Sequence, residues 1–180
     1  MRDNSRILTW VFIFAALASA AAVIIAALII SSRGRQPPPV ATSVTPNISV
    51  YQFQVDADKP WQDTDIVISL GDRVTIQYVS GTWTGGIGAG QWYDAKGDMV
   101  ARYKCAVEAR DPSVCKEPMP NVYNGTLIGK VDDNLFEIGE YLQFTSSRTG
   151  NLFLRMNDQD EGLFDNQGSI TVQISVQRPG

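Results

Sequence analysis

Residues 50–180 of this 180-residue chain are predicted to form an all-β domain, an antiparallel β-sandwich or small jelly roll, on three observations. Apolar residues alternate with polar ones in short runs, the period of a half-buried strand. Gly, Asp and Asn punctuate those runs as turn residues. No stretch of this region sustains the 3.6-residue period of a helix.

The runs follow in order. Tyr51, Phe53 and Val55 share one face of the first. Ile66 and Ile68 precede the turn Leu70-Gly71-Asp72, and Val74, Ile76 and Tyr78 follow it. Leu127 to Val131, Leu135 to Ile138 and Tyr141 to Phe144 supply three more. Leu152, Leu154 and Met156 alternate ahead of an acidic loop, and Ile170, Val172, Ile174 and Val176 alternate after it. The total is about seven to nine strands around one core. The two runs beside the acidic loop read as a hairpin with that loop as its tip.

Two segments break the pattern. Ser80 to Gly97 holds six glycines with Trp83, Trp92 and Tyr93. One of those tryptophans is expected in the core, and the other is left open between core and an aromatic binding face. Residues 99–124 read as a long insertion carrying Cys105 and Cys115. Two cysteines are compatible with one disulfide in an oxidising space, the alternative being two free thiols.

The N-terminal part belongs to another regime. Residues 1–6 form a short tail. Ile7 to Ile30 is an uncharged run of 24 residues, about 36 Å as helix and long enough to span a bilayer. A signal peptide competes, since Arg2 and Arg6 form a basic start and Ala18-Ser19-Ala20 resembles a cleavage site. The run exceeds an ordinary signal-peptide core, so an uncleaved transmembrane signal-anchor is the favoured reading. Residues 31–49, opened by Pro37-Pro38-Pro39, read as a Pro/Ser/Thr-rich stalk. Arg2 and Arg6 balance Arg33 and Arg35, so flanking charge does not orient the span. The stalk and cysteines place the C-terminal domain outside a single-pass cell-membrane anchor.

Residues 50–180 carry 18 acidic and 11 basic side chains, a net charge of about −7. That sign disfavours nucleic acid and anionic lipid as partners. The chain has no His, which excludes Ser-His-Asp and Cys-His catalysis and His-built zinc sites. Gly85 to Gly90 lacks the Lys-Ser/Thr and the helix of a phosphate loop. No spacing marks a pair of glycosidase carboxylates. Binding, not catalysis, is expected.

The acidic loop is the most informative stretch. Asp158, Asp160, Glu161 and Asp165 fall within nine residues, with Gln159 and Asn166 among them. So dense a set of carboxylates repels itself unless a cation neutralises it. Oxygen donors without His or Cys favour a hard ion, Ca²⁺ first. A solvated acidic turn is the plain alternative. An EF-hand does not fit, because Leu163 and Ser169 occupy the positions that require Gly and Glu.

A series of blocks is similar to the PA-IL-like family, the calcium-dependent galactophilic lectins of bacteria. They are Leu70-Gly71-Asp72-x-Val74-Thr75-Ile76, Ser80-Gly81-x-Trp83, Lys96-Gly97-Asp98, Gly125 to Val131, Asn157-Asp158 and Asp165-Asn166-x-Gly168-Ser169. The step of eight residues from Asp158 to Asn166 equals that of the family's calcium loop. The resemblance covers about residues 55–180 and implies a galactose-binding-domain-like sandwich. It also implies one Ca²⁺ held by Asp158, Asp165 and Asn166 side chains and by backbone carbonyls of Gly162 and a residue near Gly86. Sugar hydroxyls would coordinate the same ion, with Gln159 offering further hydrogen bonds.

Departures from the family pattern are visible. Asp165 stands where the family has Asn, and Gly162 where it has Thr. The family's sugar-contacting His and nearby Gln fall at Ala101 and Lys104. The expectation is thus a membrane-anchored, Ca²⁺-dependent carbohydrate-binding protein taking a galactose-like or other saccharide. Family members can be tetrameric, which makes a homo-oligomer one expectation. The alternative is a calcium-stabilised protein–protein interaction module.

Overall fold

The computed structural model describes residues 47–86, 91–100 and 103–179. The expected span at 7–30 and most of the stalk lie outside them. No helix among the described residues is long and apolar enough to cross a membrane. The first strand already includes Asn47 to Ser49, at the end of the expected stalk.

Eight strands form two antiparallel sheets. They are β1 (Asn47–Asp56), β2 (Gln62–Ile68), β3 (Arg73–Thr84), β4 (Leu127–Val131), β5 (Asn134–Glu137), β6 (Tyr141–Thr145), β7 (Gly150–Met156) and β8 (Gln167–Arg178). One sheet runs β1-β8-β3-β6 and the other β2-β7-β4-β5. First pairs with last, second with seventh, third with sixth and fourth with fifth. That is one long hairpin rolled up on itself, the jelly-roll arrangement.

Alternation decides which face points inward. Val74 pairs with Val176 and Ile76 with Ile174 across one sheet, all buried. Leu127 pairs with Met156 and Val131 with Leu152 across the other, also buried. Each such side chain contributes about 1.5–3 kcal/mol on leaving water. A one-residue slip would turn the whole row outward, which pins the register. Trp83 is fully buried at the end of β3, and its Nε1 donates to the Gly125 carbonyl at 2.9 Å. Trp92 remains about half exposed.

One expectation is corrected. β7 and β8 lie in different sheets, so the acidic loop is not a hairpin tip. It crosses from one sheet to the other at the end of the sandwich and contains a 3₁₀ helix, Asp160–Asp165. Sequence alternation fixes which face of a strand is buried but not which strand it pairs with, so adjacency along the chain is a poor guide.

The insertion is built around the Cys105–Cys115 disulfide, Cα to Cα 5.7 Å. It includes the short helix α1 (Cys105–Glu108) and a 3₁₀ turn at Pro112–Val114. Closing so short a loop is worth about 2–3 kcal/mol by chain entropy, and the gain falls on the insertion. Reduction is therefore expected to speed amide exchange in residues 103–119 while leaving β3, β7 and β8 protected. Equal acceleration in those strands would refute a local role.

Candidate cation and ligand site

Asn157 and Asp158 follow β7 directly and are buried. Arg155, the last outward side chain of β7, folds back beneath them and is 1% exposed. Its Nε donates to Met156 O at 2.9 Å, one terminal nitrogen to Asp158 O at 2.7 Å and the other to Asp160 Oδ1 at 2.7 Å. The guanidinium therefore takes the carbonyl of Asp158 and not its carboxylate. No Lys or Arg pairs with that carboxylate among the described residues.

The carboxylate instead receives neutral donors. The Gln159 N–H donates to Oδ1 at 2.8 Å, and Asn166 Nδ2 donates to Oδ2 at 3.0 Å. Asn166 Nδ2 also reaches Ala57 O at 3.2 Å. This leaves Asn166 Oδ1 buried without a hydrogen-bonding partner. Burial is the main force raising the Asp158 pKa, and repulsion from Asp165 and Glu117 adds to it. The donors from Asn166 and Gln159 only partly offset them.

Gly162 lies against this carboxylate, and Gly85 lies near the Asn166 amide oxygen. A Cβ at Gly162 would stand 3.4 Å from Asp158 Oδ2, and one at Gly85 would stand 3.9 Å from Asn166 Oδ1. Gly85 adjoins Asn166, and the carbonyl of the next residue, Gly86, accepts from Thr84 Oγ1 at 3.3 Å. Tyr93 packs behind, its hydroxyl 2.5 Å from the same Gly85 Cβ position. Its phenol is held protonated by burial first, and by the field of Asp158 after it.

The structure thus gathers Asp158, Gly162, Asn166 and the Gly85-Gly86 turn, with Asp165 near enough for its charge to act on Asp158. Gln159 contributes its backbone N–H. Lys104 Nζ lies over the Tyr123 ring at 4.2 Å from the centroid. Ala101 lies outside the described residues. Cys105 and Cys115 are joined to each other and offer no thiolate. The donor set is all oxygen, with a buried carboxylate lacking a counter-charge, and it suits a hard divalent cation.

Sequence reasoning missed Arg155 and Glu117, and it gave Asn157 no role of its own. Asn157 clamps the insertion to the site: its Oδ1 accepts from Met119 N at 3.1 Å and its Nδ2 donates to Met119 O at 3.0 Å. A cleft of about 430 Å³ lies beside the site, lined by Thr82, Gln91, Trp92, Tyr93, Asp94 and Met99. Tyr93 is common to both. Trp92 packs over Gly168, two residues beyond Asn166.

The contact of Tyr93 with Gly125 leaves no room for a side chain. Gly125 has φ +75°, and a Cβ there would overlap the Tyr93 ring. Gly125→Ala is expected to cost about 2–4 kcal/mol from backbone strain and displaced packing. A melting temperature unchanged by the substitution would count against this tight approach.

A sandwich of two four-stranded antiparallel sheets with an oxygen-lined loop at one end is a jelly-roll fold. Among solved structures the chain is similar to the EclA N-terminal domain, described as a PllA-like lectin, with TM-score 0.52 and 18% identity over 71% of this chain and 96% of that one. At that identity the likeness is one of fold. No protein-family model and no curated protein matches the chain.

Proposed function

We propose that this chain binds Ca²⁺ through Asp158, Asp165, Asn166 and the backbone carbonyls of Gly162 and the Gly85-Gly86 turn, and that the site recognises a saccharide. The observation that carries the reading is a buried carboxylate without a counter-charge beside a buried amide oxygen without a donor. A desolvated anion of that kind is costly unless a cation neutralises it. The lectin-like fold supports the same reading. When bound, the ion supplies coordination positions for neighbouring hydroxyls of a galactose-like sugar.

The chain's own groups do the rest. Arg155 and the Gln159 N–H hold Asp158, and Asn166 Nδ2 donates to Asp158 Oδ2 and Ala57 O, so the oxygens of both are preorganised. Trp92 and Tyr93 offer ring faces in the adjoining cleft for the apolar side of a sugar. Residues 7–30 anchor the chain in the cell membrane with this domain outside, consistent with a disulfide that needs an oxidising space. Several copies clustered on a membrane would turn weak single-site binding into useful avidity.

Calorimetry of the purified chain tests the reading. Ca²⁺ should give a binding heat that Asp158→Ala abolishes, and monosaccharides should bind only in its presence. Trp92→Ala should weaken the saccharide about tenfold and leave Ca²⁺ affinity unchanged. No Ca²⁺ heat in the wild type defeats the reading. Ca²⁺ binding without any saccharide would leave a calcium-stabilised protein–protein module.

A further inference from the structure

Three buried side-chain oxygen or nitrogen atoms among the described residues lack a hydrogen-bonding partner: Glu117 Oε2, Asn124 Oδ1 and Asn166 Oδ1. They come from separate parts of the sequence, yet all lie around Asn157 and Asp158. Asn166 is bonded to the Asp158 carboxylate, and is itself only 4% exposed. Asn124 precedes Gly125, whose N–H donates to Asn157 O at 2.9 Å. Glu117 sits between two residues tied to the same loop. Lys116 Nζ pairs with Glu161 Oε1 at 2.9 Å, and Met119 is gripped by the Asn157 side chain.

Glu117 is the charged member of the three. Its neighbour Lys116 is committed to Glu161, and no basic group pairs with Glu117 among the described residues. The fastenings at Glu161 and Asn157 bring its segment up to Asp158, and its charge adds to those that raise the Asp158 pKa. A carboxylate oxygen of Glu117 and both sulfurs of the Cys105–Cys115 bridge lie within 4.8 Å of one another. The disulfide therefore lies beside the Glu117 carboxylate, in the segment that carries it. Two carboxylates on segments fastened to one loop, each with an oxygen out of solvent and neither paired with a base, are costly unless one takes a proton or a cation joins them.

We propose that Glu117, delivered by the disulfide-closed insertion, is a further oxygen ligand of the cation site at Asp158. The inference rests on the cation reading given above. It adds a negative charge to the donor set, and charge count is one of the levers that tune calcium affinity. It also gives the insertion a role: it closes one side of the site with a ligand from outside the acidic loop.

The test uses the full chain as wild type, Glu117→Gln and Asp158→Ala, with two readings. Calorimetry gives Ca²⁺ affinity. Terbium luminescence lifetimes in H₂O and D₂O count the waters on a bound Tb³⁺ standing in for Ca²⁺. Glu117→Gln is expected to lower Ca²⁺ affinity about ten- to a hundredfold and to admit about one more water. Affinity within twofold of wild type and an unchanged water count, with Asp158→Ala still abolishing binding, would overturn the role of Glu117 and leave the proposed function standing. No binding by the wild type would remove both. Melting in chelator checks the fold of each variant. If Glu117→Gln does not melt cooperatively, Glu117→Asp keeps the charge and shortens the reach: a raised water count supports ligation and an unchanged one overturns it.

Discussion

Metal-free protein carrying Asp158→Asn is expected to melt at or above the wild-type temperature at pH 7, and to lose the rise that Ca²⁺ gives the wild type. Burial raises the Asp158 pKa, and Asp165 and Glu117 push the same way. Between its unfolded and native values the native state holds the extra proton, so stability falls as pH rises through that window. The amide mimics the protonated form. It gives up one of the two accepted hydrogen bonds but removes a buried negative charge. The difference between variant and wild type should therefore shrink as pH drops toward the ordinary carboxylate range. Ca²⁺ at a hundredfold over its dissociation constant should stabilise the wild type by about 2.7 kcal/mol, roughly 10 °C for a domain of this size. Scanning calorimetry in chelator and in Ca²⁺, from pH 4 to 7.5, reads both effects. A variant clearly less stable than wild type in chelator at pH 7 would show that Asp158 is structurally content without an ion.

Arg155→Ala, by contrast, is expected to destabilise the fold by about 3–5 kcal/mol, a large part of a typical domain's stability. The side chain is 1% exposed and fixes three oxygens at once. Its ion pair with Asp160 adds little, since that carboxylate is 70% exposed and screened. The larger contribution is the bond to Asp158 O, because truncation orphans that carbonyl and opens a cavity beneath Trp61, whose ring the guanidinium faces at 5.5 Å. Arg155→Met should recover packing but not the hydrogen bonds. Arg155→Lys should recover little, since one ammonium cannot reproduce the fork. Both should weaken Ca²⁺ binding, because Asp158 loses its backbone anchor. Urea unfolding of the three variants separates the terms, and a loss under 1 kcal/mol for the Ala variant would refute the assignment.

The strands were legible because alternation is a direct imprint of a two-faced sheet. Val74 and Ile76, then Leu152, Leu154 and Met156, then Ile170, Val172 and Ile174 are all buried, each set on one face of its strand. That one of Trp83 and Trp92 would be core was legible, though not which, and the disulfide was legible from an even cysteine count. Arg155 was not, since a lone Arg on the outward face of a strand reads as solvated until something covers it. Glu117 was not, because nothing in its own neighbourhood ties it to a loop so much later in the chain.

The sequence by itself determined the all-β class, the buried face of each strand and the concentration of oxygen donors between Asp158 and Asn166. Those are local properties, set by side-chain period and by which groups can bear a hard cation. Tertiary structure alone decided that β7 and β8 belong to different sheets, which makes the acidic loop a crossing at the sandwich end. It also decided that Arg155 would hold the Asp158 backbone while leaving its carboxylate unpaired, and that Asn166 and Glu117 would each hold a buried oxygen lacking a partner. The physical reason is that burial and hydrogen-bond satisfaction depend on every segment packed around a group, and here those segments come from distant parts of the chain.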